Sequence, residues 1–292
     1  MARKKDSGQI SMFDVELPPT SAPEPAAEPE VKIFPARVPD EEFTIQNAPK
    51  DHPKVSEILK LLEKGLYKVN AHEFLSNVFE CGAIAISNKF DFRQAPEREE
   101  RYKQIMSKYE LDMRQLMAEV FAKIYALCSM QIYPHIGFDD YLGELYMRSE
   151  TSNSKAGQFF TPYCISKACA ECCISESMVE EYIQQDKIIT MNEPACGAGG
   201  MILAAADILY NRHHFNIARN LLVECSDIDT RCVHMTYLQL GLAGIPAVIY
   251  QRDTLAMKTW QRWETPAYIM QWTRFKGCLS GGYEWYPGME ES

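Results

Sequence analysis

IITMNEPACGAGGMILAAADILY, residues 188–210, decides how the rest of the chain is read. An apolar run ends in a glycine cluster and continues as an apolar, alanine-rich segment. That order reads as a strand, a glycine loop and a helix. Gly197, Gly199 and Gly200 have no Cβ, so the backbone there can come close to a ligand. The helix that follows turns its free amide groups toward the same place. In an open parallel sheet such a turn lies at the carboxyl edge, where nucleotide-like molecules bind. A tight strand-to-helix turn with no ligand has the same local pattern.

Two further strand-and-turn units follow. NLLVECSDIDT (220–230) is apolar and ends in acids, with Asp227 at the tip of a second strand. A carboxylate there is placed to accept from two ribose hydroxyls. TRCVHMTYLQLGLAG (230–244) reads as a helix, and IPAVIYQRDTL (245–255) as a third strand with Asp253 at its end. Glu193, Asp227 and Asp253 thus fall at three successive strand ends. This suits a ligand with a ribose, an adenine amine and a positive centre. Each acid taken alone could equally cap a helix or face solvent.

A second motif, GQFFTP (157–162), precedes the glycine loop. With it, the chain resembles the S-adenosylmethionine-binding half of DNA methyltransferases that modify amines, and among them the modification (M) subunits of type I restriction systems. The similarity starts at DDYLGELYM (139–147) and runs through GQFFTP, NEPACGAGG, CSDID and GIPAVIYQRDTL to residue 255. It implies a Rossmann-like α/β methyltransferase fold with a shortened parallel sheet, preceded by a helical lobe. By the same resemblance, Thr161 and Pro162 contact the methionine end of the cofactor. Glu193, Pro194, Ala195, Cys196 and Gly197 form the loop beneath methionine and ribose. Asp227 binds the ribose hydroxyls. Asp253 accepts from the adenine amine, with Thr254 and Leu255 beside the ring. An acidic pocket suits a cationic sulfonium, and a carboxylate–diol contact fixes orientation. Cys196 reads as a small buried thiol, because methyl transfer to an amine needs no covalent enzyme intermediate.

The chain departs from that family at the catalytic tetrapeptide. The resemblance calls for Asn/Asp-Pro-Pro-Tyr/Phe after a fourth strand, to hold the target amine and stack on an extruded base. No such sequence is present, and the nearest candidate is Thr265-Pro266-Ala267-Tyr268. Thr265, Pro266 and Tyr268 are therefore the expected catalytic residues, against the alternative of a loop with no catalytic role. The family fold also implies more strands and a DNA-reading domain than residues 254–292 can hold. A partner is expected, such as a specificity or other methylase-complex subunit. The tail AMKTWQRWETPAYIMQWTRFKG (256–277) interleaves aromatic and basic residues. That pattern suits base stacking and phosphate contact, or, more simply, cover for an open sheet edge.

Composition bounds the function. An apolar content of 46% supports a real core, and no stretch approaches a membrane span or a signal peptide. The ten cysteines form no disulfide-like framework, which fits a reduced cytoplasm. Cys169, Cys172 and Cys173 lack a second ligand pair, so no metal site is expected; their helical spacing reads as one buried face. A net charge of −10 argues against adhesion to DNA by bulk charge alone.

Three regions are expected. Residues 1–50, dense in proline and acid, read as a disordered tail. Within it, Gln9, Met12 and Phe13 resemble the short peptide by which bacterial DNA enzymes dock on the sliding clamp. Residues 51–147 read as a helical lobe, with helices over 55–69, 72–90 and 98–128. Residues 148–292 read as the cofactor-binding methyltransferase core, entered through a polar linker at 148–156. The functions left open are an adenine-specific DNA methyltransferase, alone or in a complex; a cofactor-binding regulatory or decoy module; and a methyltransferase for a protein or RNA amine.

Overall fold

The computed structural model describes residues 54–65, 70–133, 136–150 and 160–279. The tail with Gln9, Met12 and Phe13, the stretch 151–156, and Gly157, Gln158 and Phe159 of the GQFFTP motif lie outside them. Ahead of the sheet come α1 (Val55–Gly65), α2 (Ala71–Ser87), α3 (Ala95–Met106), α4 (Leu111–Ser129), α5 (Tyr141–Glu150), α6 (Tyr163–Cys173) and α7 (Glu176–Gln184). The remaining elements are β1 (Ile189–Glu193), α8 (Gly200–Asp207), α9 (Ile217–Asn220), β2 (Leu221–Asp227), α10 (Thr230–Leu242), β3 (Ala247–Asp253), β4 (Lys258–Glu264), α11 (Pro266–Met270) and α12 (Trp272–Phe275).

The strands lie in the order β1-β2-β3-β4. β1 pairs with β2 and β2 with β3 in parallel, each joined by a helical crossover, which is the Rossmann-like α/β arrangement. β2 and β3 are apolar on both faces because both faces are covered. Leu221, Val223, Cys225, Ala247 and Ile249 join the large core, with residues of α1, α2, α4, α5, α8 and α10. Leu222, Val248 and Tyr250 point the other way, onto Tyr268 and Phe275.

Three expectations on structure are corrected. The single helix expected over 98–128 is two, α3 and α4, parted at Ser107–Glu110. No proline or glycine breaks it. Tertiary contact does: Tyr109 turns in against Phe74, and its hydroxyl accepts from Asn77 Nδ2 at 2.7 Å. Cys169, Cys172 and Cys173 lie on α6 as expected of a helix, yet all three are exposed. The side of α6 that is buried carries Ser166 and Ala170, and Ala170 packs with Ala204, Ala205 and Ile208.

The third concerns where the tail takes Thr265. β4 runs antiparallel to β3, from Lys258 beside Asp253 back to Glu264 beside Val248. It pairs with the edge of β3, as the covering reading of the aromatic–basic tail proposed. It also returns the chain to the amino end of the parallel strands before Thr265 is reached. No helix among the described residues is long and apolar enough to cross a membrane.

Candidate functional site

The glycine loop between β1 and α8 needs backbone that only glycine adopts readily. Gly197 has φ +56° and Gly199 φ +99°, both in the left-handed region. A Cβ on Gly197 would lie 3.0 Å from the ring of Phe160, so the last described part of the GQFFTP motif packs directly on the loop. Long-range hydrogen bonds then fix it. Cys196 N donates to Ser226 O at 2.9 Å, and Gly197 N to Asp227 Oδ2 at 2.9 Å. On α10, Thr236 Oγ1 donates to Gly197 O at 2.9 Å and Gln239 Nε2 to Ala198 O at 2.7 Å. The loop is thereby held between the tip of β2 and one face of α10.

These elements enclose a cavity of about 260 Å³ at the carboxyl ends of the strands. Of the expected site residues, Thr161, Ala195, Cys196, Gly197 and Asp227 line it. Asp227 accepts through both oxygens, from Gly197 N and from Asp229 N at 2.9 Å. Burial raises the pKa of Asp227 and those backbone bonds oppose the rise. Cys196 is buried, and its sulfur accepts weakly from Thr236 Oγ1 at 3.5 Å.

The other expected cofactor residues stand around the cavity and do not line it. Pro162 caps α6. Glu193 Oε1 accepts from Ala195 N at 3.1 Å, and Pro194 O accepts from Thr254 Oγ1 at 2.9 Å. Asp253 Oδ1 accepts from Leu255 N and Ala256 N, closing the turn into β4, and Leu255 is 99% exposed. So Glu193, Asp227 and Asp253 do occupy three neighbouring strand ends, but of these Asp227 is the one facing into the cavity.

Thr265, Pro266 and Tyr268 are not brought to this edge. The antiparallel return of β4 puts them at the opposite end of the sheet, and all three are buried. Thr265 Oγ1 donates to Ile245 O at 2.9 Å and accepts from Ala247 N at 2.8 Å. Tyr268 stacks on Phe275 with ring centroids 6.2 Å apart, inside the second apolar cluster. Hydroxyl and ring are both engaged in holding the far face of the sheet.

Two lining residues carry signals that sequence reading missed. Ser166 Oγ is buried with no hydrogen-bond partner among the described residues. Asp140 lies in the chain just before α5 and reaches across to the loop, and Gln239 Nε2 donates to its Oδ1 at 2.8 Å. DDYLGELYM was singled out as a stretch. Nothing local in it says that Asp140 touches residues far along the chain. The cavity lining contains two carboxylates and no lysine or arginine. That set of acceptors fits a ligand with hydroxyls and a positive charge, such as S-adenosylmethionine, and fits a phosphate poorly.

Residues 138–277 match the model of a family described as N-6 DNA Methylase. Two solved structures are noted beside it. One, assigned as a class I S-adenosylmethionine-dependent methyltransferase from Listeria monocytogenes, has 13% identity and a TM-score of 0.37; the match covers 69% of this chain and 54% of that one. The other, a type I restriction-modification system methyltransferase subunit from Streptococcus thermophilus, has 18% identity and a TM-score of 0.34, covering 69% of this chain and 39% of that one. Both scores are too low to bear on function, and this chain spans about half or less of either structure. No protein of curated function matches the chain. The chain is thus identified, over residues 138–277, as similar to the N-6 DNA methylases, the family to which its motifs pointed.

Proposed function

We propose that the chain is the cofactor-binding part of a DNA methyltransferase that modifies the exocyclic amine of adenine, and that it works within a complex. The observation that carries the reading is the cavity itself. A left-handed glycine loop, Thr161 and Asp227 meet at the carboxyl ends of parallel strands, with no cationic side chain in the lining. S-adenosylmethionine held there would supply an electrophilic methyl group on a cationic sulfur.

The residues of this chain have binding and orienting work to do. Asp227 accepts from the ribose hydroxyls while two backbone amides fix its carboxylate. Gly197, lacking a Cβ, lets the Phe160 ring pack against the loop and close one wall of the cavity. Thr161 hydrogen-bonds the methionine end. Such positioning supplies a large share of the barrier lowering in a direct transfer between two bound groups.

The acceptor side is assigned to a partner. The residues expected to grip the amine are buried at the far end of the sheet. Among the described strands β1 has β2 as its one neighbour, so the edge beside the loop is open to another polypeptide. A specificity or other methylase-complex subunit carrying DNA contacts fits there. The same burial of Thr265 and Tyr268 favours a second reading, a cofactor-binding module that regulates without transferring methyl groups.

Titration calorimetry with S-adenosylmethionine tests the site. Binding should be measurable and should weaken by about tenfold or more in Asp227→Ala, the scale of a lost charge-assisted hydrogen bond. Binding untouched by that change defeats both readings. Tritiated-methyl transfer to DNA, RNA and protein, with and without partner subunits, then separates a DNA methylase from a regulator and from a methylase of another amine.

A further inference from the structure

Asp140 is 7% exposed, and its carboxylate is split between two environments. Oδ1 is saturated by the protein, accepting from Gly143 N at 2.9 Å and from Gln239 Nε2 at 2.8 Å. Oδ2 makes no hydrogen bond among the described residues, and no lysine, arginine or histidine there forms an ion pair with Asp140. It lies between the first turn of α5 and the glycine loop: a Cβ on Gly143 would clash with it, and one on Gly200 would stand 2.9 Å from it. Asp140 and Gly200 both line the cavity. A carboxylate oxygen at a cavity wall with no donor from the protein is free to accept from a ligand held there.

Ser166 gives an independent sign. Its hydroxyl is fully buried, unpartnered, and part of the same lining. The two carboxylates of the cavity also divide the loop between them. Asp227 holds its start, through Gly197 N. Asp140 meets its end, at Gly200 and through the Gln239 bridge to Ala198 O. A ligand running along the loop therefore meets one acid at each end. Burial also raises the pKa of Asp140 from the usual carboxylate range, as expected of an acid with no cation beside it.

We infer that Asp140 Oδ2 receives the primary ammonium of the cofactor's amino-acid portion, with Ser166 Oγ beside it, so that the cavity selects an amino-acid-bearing nucleoside over the bare nucleoside. This rests on the cofactor reading proposed above. The ammonium provides donors to Oδ2 and a counter-charge for the carboxylate. Asp227 keeps the separate task of the sugar hydroxyls.

The test compares two ligands by calorimetry: S-adenosylmethionine, and 5′-methylthioadenosine, which has the nucleoside and thioether without the amino acid. Asp140→Asn keeps an oxygen for Gly143 N and Gln239 and removes the charge. It should weaken S-adenosylmethionine by about ten- to a hundredfold, the range for a hydrogen bond to a charged group, and leave methylthioadenosine unchanged. Equal loss for both ligands makes Asp140 a structural prop of the loop and overturns the inference. So does an unchanged affinity for S-adenosylmethionine. If the unaltered protein binds neither ligand, the cofactor reading itself fails, which is a distinct result.

Discussion

The cavity beneath the glycine loop and a larger one behind α10 are lined in opposite ways. The second, of about 470 Å³, lies between α2, the start of α3, α10 and β4. It holds four arginines, and each has its carboxylate. Arg101 clasps Glu80 through two hydrogen bonds, Arg98 meets Asp91 at 3.2 Å, and Arg93 and Arg262 share Glu264. Arg98 also lies 3.8 Å over the ring of Trp263. The smaller cavity has fewer charges, yet Ser166 Oγ is buried there without a partner among the described residues, and the hydrogen bonds of the Asp140 carboxylate go to Oδ1 alone. Size and charge count would favour the larger cavity as a ligand site. Charge pairing favours the smaller: the arginines of the larger cavity are matched by carboxylates, whereas Asp140 in the smaller has no cation beside it among the described residues, although His234 Nε2 in the larger lining also lacks a partner there. The arginine network reads as the joint between the helices and the sheet edge.

Altering Arg98 should produce the largest effect and most directly tests that joint. The Asp91 side chain is fully buried against it. Arg98→Ala should lower stability by about 3 kcal/mol, the lower end of the cost of breaking a buried pair, because Arg93 still stands 3.7 Å from Asp91. Urea denaturation measures this. Affinity of the folded protein for S-adenosylmethionine should change by no more than about twofold, as expected of sites without shared partners. A collapse in affinity at unchanged stability would break the comparison.

His234 gives an effect of similar size, confined to acid. It is buried edge-on against Trp263, with ring centroids 5.0 Å apart, and its Nε2 has no partner among the described residues. Burial, the main cause, lowers its pKa from 6.5 to about 4. The neutral ring is favoured in the folded state, and the unfolded chain takes up the proton first. This contribution to stability is therefore complete above the unfolded value and is lost as pH falls from 6.5 toward 4. Its span is about 3 kcal/mol, taken from the free energy per unit of pKa. Denaturation curves across that range should be steeper for the unaltered protein than for His234→Gln. Parallel curves would place His234 in water instead.

The smallest effect sharpens the contrast. Trp260, 41% exposed at the rim of the larger cavity, has Lys258 5.5 Å from its ring. Trp260→Ala should change stability by about 0.5 kcal/mol or less, as surface substitutions do, and leave cofactor affinity alone. Loss of cofactor binding in this variant would show that the two cavities are coupled.

Much of the cofactor side was legible because its signals are local. Glycines at left-handed positions, an acid ending β2 and apolar runs of strand length all lie within a few residues of what they specify. β2 and β3 begin within two residues of the expected starts. The split of α3 from α4 was hidden, since Tyr109 breaks the helix by a contact with Phe74 and Asn77 rather than by its own preference. The exposed thiols of α6 were misread for a related reason. Helical spacing fixes which residues share a face, and the neighbouring helix decides whether that face is covered.

By itself, the sequence determined a strand–glycine loop–helix unit, two more strands in line and an acid at each strand end, because backbone preference and hydrophobic period act over short distances. That 258–264 forms a strand beside β3 was decided by tertiary structure; once it does, the four residues after Asp253 allow only an antiparallel return. That direction took Thr265 and Tyr268 away from the loop. Tertiary structure likewise carried Asp140 to Gln239 and Gly200, where a packed interior leaves one carboxylate oxygen waiting for a donor.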